Sequence, residues 1–196
     1  TLAVMALLNN VIPFSLIFWG QTAIPAGLAA ILNATTPLFT VIVMHLFTDD
    51  DRATPGKAVG VTLGFAGVVV LVGPAATGTL DTPLWALAAC LAAALSYAVS
   101  GLWSRRIKPL GLTPTFTAFA QLSVTSLVMT PVVALVDRPW ALPLPGLAPL
   151  AAVVALAVLS TALAYIIFFR ILASAGPSNL LLVAFLIPVS AILLAS

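Results

Sequence analysis

Pro37 stands four residues after Asn33 inside a long apolar run. A proline within a helix donates no backbone hydrogen bond and frees the carbonyl of the residue four before it, here Asn33. An amide side chain and an unpaired carbonyl are then expected at one level, with Thr36 beside them. At 1.5 Å per residue Pro37 falls about 18 Å from the start of its helix, near the middle of a bilayer. Pro13 repeats the arrangement with Asn9, beside Asn10. Such groups can hold a polar ligand by hydrogen bonds where polar atoms must face protein or a water-filled cavity. The alternative is that the prolines only kink packed helices and the asparagines join neighbouring helices.

Other polar residues recur at helical spacing. Ser96, Ser100 and Ser104 share one face with four-residue spacing, and Tyr97 adjoins it. Gln121 and Thr125 form a second such pair, and Thr161 and Tyr165 a third. Each set fits the lining of an aqueous path or, equally, interhelical packing. The candidate substrate-pathway residues are therefore Asn10, Asn33, Tyr97, Ser100, Gln121, Thr161 and Tyr165. Pro13, Pro37 and Pro188 are the candidate hinges. Gly56, Gly60 and Gly64, also at four-residue spacing, make a smooth face for helix packing within the fold or between two subunits of a homodimer. His45, the single histidine, and Trp19 read as interfacial, and Arg170 as a residue that snorkels to the surface or meets an anionic substrate.

The absences narrow the chemistry. There is no Glu, and all five Asp lie between apolar stretches. No His/Cys/Asp/Glu cluster has metal-ligand spacing, no paired acids suit acid–base catalysis, and no glycine loop suits a phosphate. No enzyme activity and no cofactor are expected from these residues. Proton or sodium coupling through a membrane carboxylate has no carrier in this chain.

These residues need long apolar elements to position them. The chain of 196 residues is 62% hydrophobic and 6% charged, against roughly a quarter charged in soluble domains. It reads as an all-α integral membrane protein whose partners are the lipid bilayer and a small-molecule substrate, not nucleic acid. At about 20 residues per span, its breaks give seven segments: Thr1–Thr22, Pro25–Phe47, Lys57–Val72, Thr82–Ser104, Thr113–Val136, Leu147–Leu172 and Pro177–Ser196. Alternating spans put Arg52, Lys57, Arg105, Arg106, Lys108 and Arg170 on one side and only Arg138 on the other. That asymmetry makes the first side cytoplasmic.

The first hairpin, about Asn9 to Met44, resembles the stretch from Ser160 to the end at a fixed offset of 151 residues. Pro37 falls on Pro188, Phe18 on Phe169 and Phe14 on Tyr165, whereas Asn33 falls on Ala184. The copies lie five segments apart, and an odd shift inverts the copy in the membrane. Inverted repeats are common in secondary transporters, with the binding site near the midplane between them. Because the chain begins and ends inside apolar runs, it reads as an internal piece of a longer protein.

The run N-N-V-I-P-F…A-I-L-N-A-T-T-P-L-F-T-V-I-V-M-H-L-F-T-D-D-D-R-A-T-P-G-K-A-V-G-V-T-L-G-F-A-G-V-V-V-L-V-G resembles the EamA-type branch of the drug/metabolite transporter superfamily. The resemblance is close over residues 9–73 and fits the remainder as the start of a second repeat. It implies a ten-helix bacterial inner-membrane protein of two inverted five-helix repeats, here helices three to nine. Residues 1–73 would end the first repeat, 74–81 would link, and 82–196 would begin the second. Asp50, Asp51 and Arg52 stand where the family usually has a Glu-Arg or Glu-Lys pair. The expected activity is export of small metabolites, amino-acid-like or otherwise neutral or zwitterionic, by alternating access. A channel-like facilitator, or a scaffold or enzyme using groups in helices outside this chain, is the alternative.

Overall fold

The computed structural model describes residues 1–51, 53–76, 83–141 and 145–186. Arg52 and Pro188 lie outside the described residues. Among the described residues the chain is helical, with no strand. The helices are α1 (Leu2–Gln21), α2 (Ala26–Phe47), α3 (Pro55–Ala76), α4 (Leu84–Ser104) and α5 (Pro114–Val136). A 39-residue run, Leu147–Phe185, follows. It divides at Gly176, whose φ of 78° and ψ of 169° lie outside the helical region, into α6 (residues 147–175) and α7 (residues 177–185). Among the described residues, five runs are long and apolar enough to cross a membrane: Leu2–Gln21, Ala26–Phe47, Leu84–Ser104, Pro114–Val136 and Leu147–Phe185.

Local chemistry sets the helix starts. Pro25 holds extended backbone just before α2, and Pro55 and Pro114 open α3 and α5, where a missing N–H costs nothing. The Thr113 hydroxyl accepts from the Phe116 amide at 3.2 Å and caps α5.

Helix α4 is the hub of the packing because it is lined with small residues. Ala86, Ala89, Cys90, Ala93, Ala94 and Ala98 are all buried, and α1 and α2 close on this face. At its N-terminal end Trp85 stacks on Trp19 of α1, ring centroids 4.7 Å apart. The first half of α6, by contrast, buries no residue, and its apolar side chains form an outward surface suited to lipid. Of the glycine face on α3, a Cβ at Gly56 or Gly60 would meet nothing within 4 Å, whereas one at Gly64 would meet the Phe185 ring at 2.8 Å. Among the described residues, therefore, only Gly64 of the three candidates makes a close approach, and Gly56 and Gly60 face open space.

The backbone departs from the α-helix in specific places. Residues Leu7–Val11 of α1 and Leu156–Leu163 of α6 form π-helical turns. The first precedes Pro13, where widening relieves the clash between the ring and the preceding turn. Helix α2 is interrupted at Ala34–Thr35, before Pro37. Displaced by 151 residues, the first π stretch falls on residues 158–162, inside the second.

Candidate functional site

A cavity of about 190 Å³ lies between the two halves of the chain. Asn9 of α1 and Asn33 and Thr36 of α2 line it from the first half. Tyr97 of α4, Tyr165 and Phe168 of α6, and Ala184 of α7 line it from the second. Asn33 and Ala184, matched by the offset of 151, thus border the same space. Among the described residues, no ionisable acid or base other than the two tyrosines borders it. Its walls are mainly rings and aliphatic groups, with amides and hydroxyls supplying the polarity.

The break in α2 sets the chemistry of Asn33. Its carbonyl, expected to be free below Pro37, accepts the Thr36 hydroxyl at 2.6 Å. Thr35 and Thr40 satisfy Leu32 and Thr36 in the same way, at 2.6 and 2.8 Å. The free backbone acceptor expected at this level is therefore already occupied, because threonines adjoin the proline and reach back to the stranded carbonyls. What stays unpaired is the side chain: Asn33 Oδ1 is buried with no hydrogen-bond partner.

Asn10 has a different place. It is 1% exposed and absent from the cavity lining. Its Oδ1 accepts from Gln121 Nε2 of α5 at 2.6 Å and from the Tyr165 hydroxyl at 2.6 Å. One amide oxygen thus ties α1 to α5 and α6 and fixes the phenol that walls the cavity. Gln121 is fully buried, and its Oε1 has no partner.

Ser100 donates to the Tyr97 carbonyl at 2.7 Å and to Asn9 Oδ1 at 3.1 Å, and is buried rather than lining the cavity. Ser96 donates to the Leu8 carbonyl, inside the π stretch, at 2.7 Å. Ser96 therefore satisfies a carbonyl within the widened turn, and Ser100 holds the Asn9 amide beside it. Thr161 donates to the Leu156 carbonyl at 3.3 Å, also within a π stretch, and does not border the cavity. Pro13 and Pro37 are both buried at helix irregularities. His45 and Arg170 are exposed. Phe168 and Asn9 gain their places from packing: an apolar ring in an apolar helix carries no sequence signal, and Asn9 was one of two adjacent amides.

The second space, about 510 Å³, lies at the charged end of the bundle. Asp50, Asp51, Arg105, Lys108, Phe169 and Ser178 are among the residues that border it. Arg105 donates to Asp50, and Lys57 to Asp51. Ser178 Oγ donates to Asp51 Oδ2 at 2.6 Å. The Arg105 hydrogen bond, chief among the causes, holds the Asp50 carboxyl below its ordinary range. Burial raises Asp51, but the hydrogen bonds from Lys57 and Ser178 and the nearby Lys57 charge outweigh it and leave it lowered. A depressed carboxylate pKa stabilises the fold above the unfolded value and loses that contribution as pH falls through the folded one. Thermal stability in detergent is therefore expected to lose the contribution of these contacts only below about pH 4. In Asp51→Asn that acid-dependent fall should be smaller; an unchanged pH profile would contradict the assignment.

The profile of the EamA-like transporter family matches residues 1–73 and 84–196. Among curated proteins, the chain is similar to the uncharacterized inner membrane transporter YedA of Escherichia coli strain K12, with 32% identity over 90 residues. YedA of the O6:H1 and O157:H7 strains is similar to the same degree. The matched stretch is 45% of this chain and 28% of the relative. No solved structure gives a significant match.

Proposed function

The chain belongs to the EamA-like transporter family, and we propose that it forms the central part of a multi-pass transporter in a bacterial inner membrane. It would carry seven spans drawn from two inverted five-helix repeats. The coincidence of the two π stretches at the repeat offset supports this, as does the meeting of Asn33 and Ala184 at one cavity. The protein is read as a carrier, not an enzyme, and it moves a small metabolite outward by alternating access.

The observation that carries this reading is the 190 Å³ cavity walled by both halves of the chain, with the unpaired Asn33 Oδ1 at its border. A donor on the cargo satisfies that oxygen, and the Tyr97, Tyr165 and Phe168 rings take an apolar body. Such a site suits neutral or zwitterionic compounds such as amino acids, because no side chain there offers a fixed charge.

Counterflow of labelled neutral amino acids in proteoliposomes holding the full-length protein tests this. Saturable uptake with trans-stimulation is expected. Uptake that neither saturates nor responds to substrate on the far side would favour a channel-like facilitator, and no uptake of any compound by folded protein would count against transport. Filling the space by Ala184→Phe, or removing the acceptor by Asn33→Leu, is expected to lower uptake about tenfold or more, with folded yield retained.

A further inference from the structure

We propose that Asp50, Asp51, Arg105 and Ser178 form a latch on the cytoplasmic side that holds shut an aromatic barrier between the two cavities. The barrier is one turn of α6. Tyr165 and Phe168 border the inner cavity, and Phe169 borders the larger vestibule at the charged end. Phe168 and Phe169 meet edge to face, with centroids 5.2 Å apart, and Phe169 is buried. These rings stand between the two spaces.

The latch closes over that turn from the first half of the chain. Asp50 and Asp51 lie on the connection between α2 and α3, Arg105 follows the last residue of α4, and Ser178 lies in the first turn of α7. Asp50 accepts from Arg105, and Asp51 accepts from Ser178 at 2.6 Å while Lys57 holds its other oxygen. One short loop thus grips the end of α4 and the start of α7 together. Gly176 makes the grip possible: its φ of 78° turns the chain so that Ser178 faces Asp51. Charged hydrogen bonds at a wet surface are individually weak, which suits contacts that must break in each transport cycle. The barrier opens when loop, α4 and α7 separate.

The proposal rests on the transporter reading but is measured without a substrate. In the full-length protein carrying Cys90→Ala, a reporter thiol is placed in the inner cavity by Ala184→Cys. A membrane-impermeant maleimide is added to inside-out vesicles. Asp51→Ala with Arg105→Ala is expected to raise the labelling rate about tenfold, as a shift of population toward the inward-open state would. In a second protein that keeps Cys90→Ala and the Ala184→Cys reporter, Asp51→Cys and Ser178→Cys are oxidised to a cross-link, which is expected to slow labelling at position 184, read by peptide mass, at least about tenfold below that of the unlatched protein. Equal labelling in latched, unlatched and cross-linked proteins overturns the proposal. So does failure of the two introduced thiols to join. A protein that labels as expected but carries none of the compounds tried keeps the latch and counts against the cargo class alone.

Discussion

Replacing Asn10 with leucine is expected to destabilise the folded protein by about 2–3 kcal/mol, measured by thermal or chemical denaturation in detergent. The size follows from what is stranded. Gln121 Nε2 and the Tyr165 hydroxyl both donate to Asn10 Oδ1, at 2.6 Å each. Leucine leaves both donors without that acceptor. A buried group left unpaired costs about 1–3 kcal/mol, and hydrogen bonds within bilayers fall toward the low end. The cause can be separated from a simple packing defect. Adding Tyr165→Phe to Asn10→Leu removes one stranded hydroxyl, so the double variant should lose less than the two single losses combined. Strict additivity would mean that the amide oxygen is not a shared acceptor.

Gly20→Leu is expected to cost about 3 kcal/mol or more and to loosen α1 from α4. Even a Cβ at this position would lie 2.9 Å from Cys90 Sγ and 3.1 Å from the Ala86 carbonyl oxygen. A thiol can rotate aside, but a backbone oxygen in a helix cannot. The two helices must then separate, and the small-residue face of α4 loses its contacts. Gly20→Ala brings a gain of about 1 kcal/mol in helix propensity, set against the same collision. It should therefore fall between wild type and Gly20→Leu. Adding Cys90→Ala should recover part of the Gly20→Ala loss, since it removes one of the two obstacles. Denaturation of the four proteins settles the order, and a Gly20→Leu protein as stable as wild type would refute the close approach.

What could be read from the residues was mainly where helices break. Pro25 and Pro177, which open two of the expected segments, mark starts that the structure uses, because proline acts locally whatever surrounds it. The sidedness of Lys and Arg agrees with the clustering of Lys57, Arg105 and Lys108 near Asp50 and Asp51. Partnership was harder to read. Asn10, Gln121 and Tyr165 were each recognisable as polar residues in apolar helices, but which bonds to which depends on packing across 111 and 155 residues. The same limit applies to Thr36, whose hydroxyl occupies the carbonyl that Pro37 strands, and to Thr161, whose hydroxyl turns back on its own helix. Gly56 and Gly60 present the clearest spacing and the emptiest surroundings, since spacing describes a face and not what covers it.

The π stretch at Leu7–Val11 has a further meaning as a change of phase. Each residue advances a helix by about 100°, so one surplus residue in a turn rotates everything beyond it relative to everything before. A helical wheel drawn from Leu2 through Gln21 as one regular cylinder would therefore assign the two ends of α1 to mismatched angles. Met5, before the shift, and Gly20, after it, are both buried, and the two asparagines sit within the shift itself. Their side chains can face α4, α5 and α6 together because the cylinder changes its bearing there. Substitutions in this stretch act on the angular setting of a whole helix, whereas the same substitutions two turns away would act on a single contact.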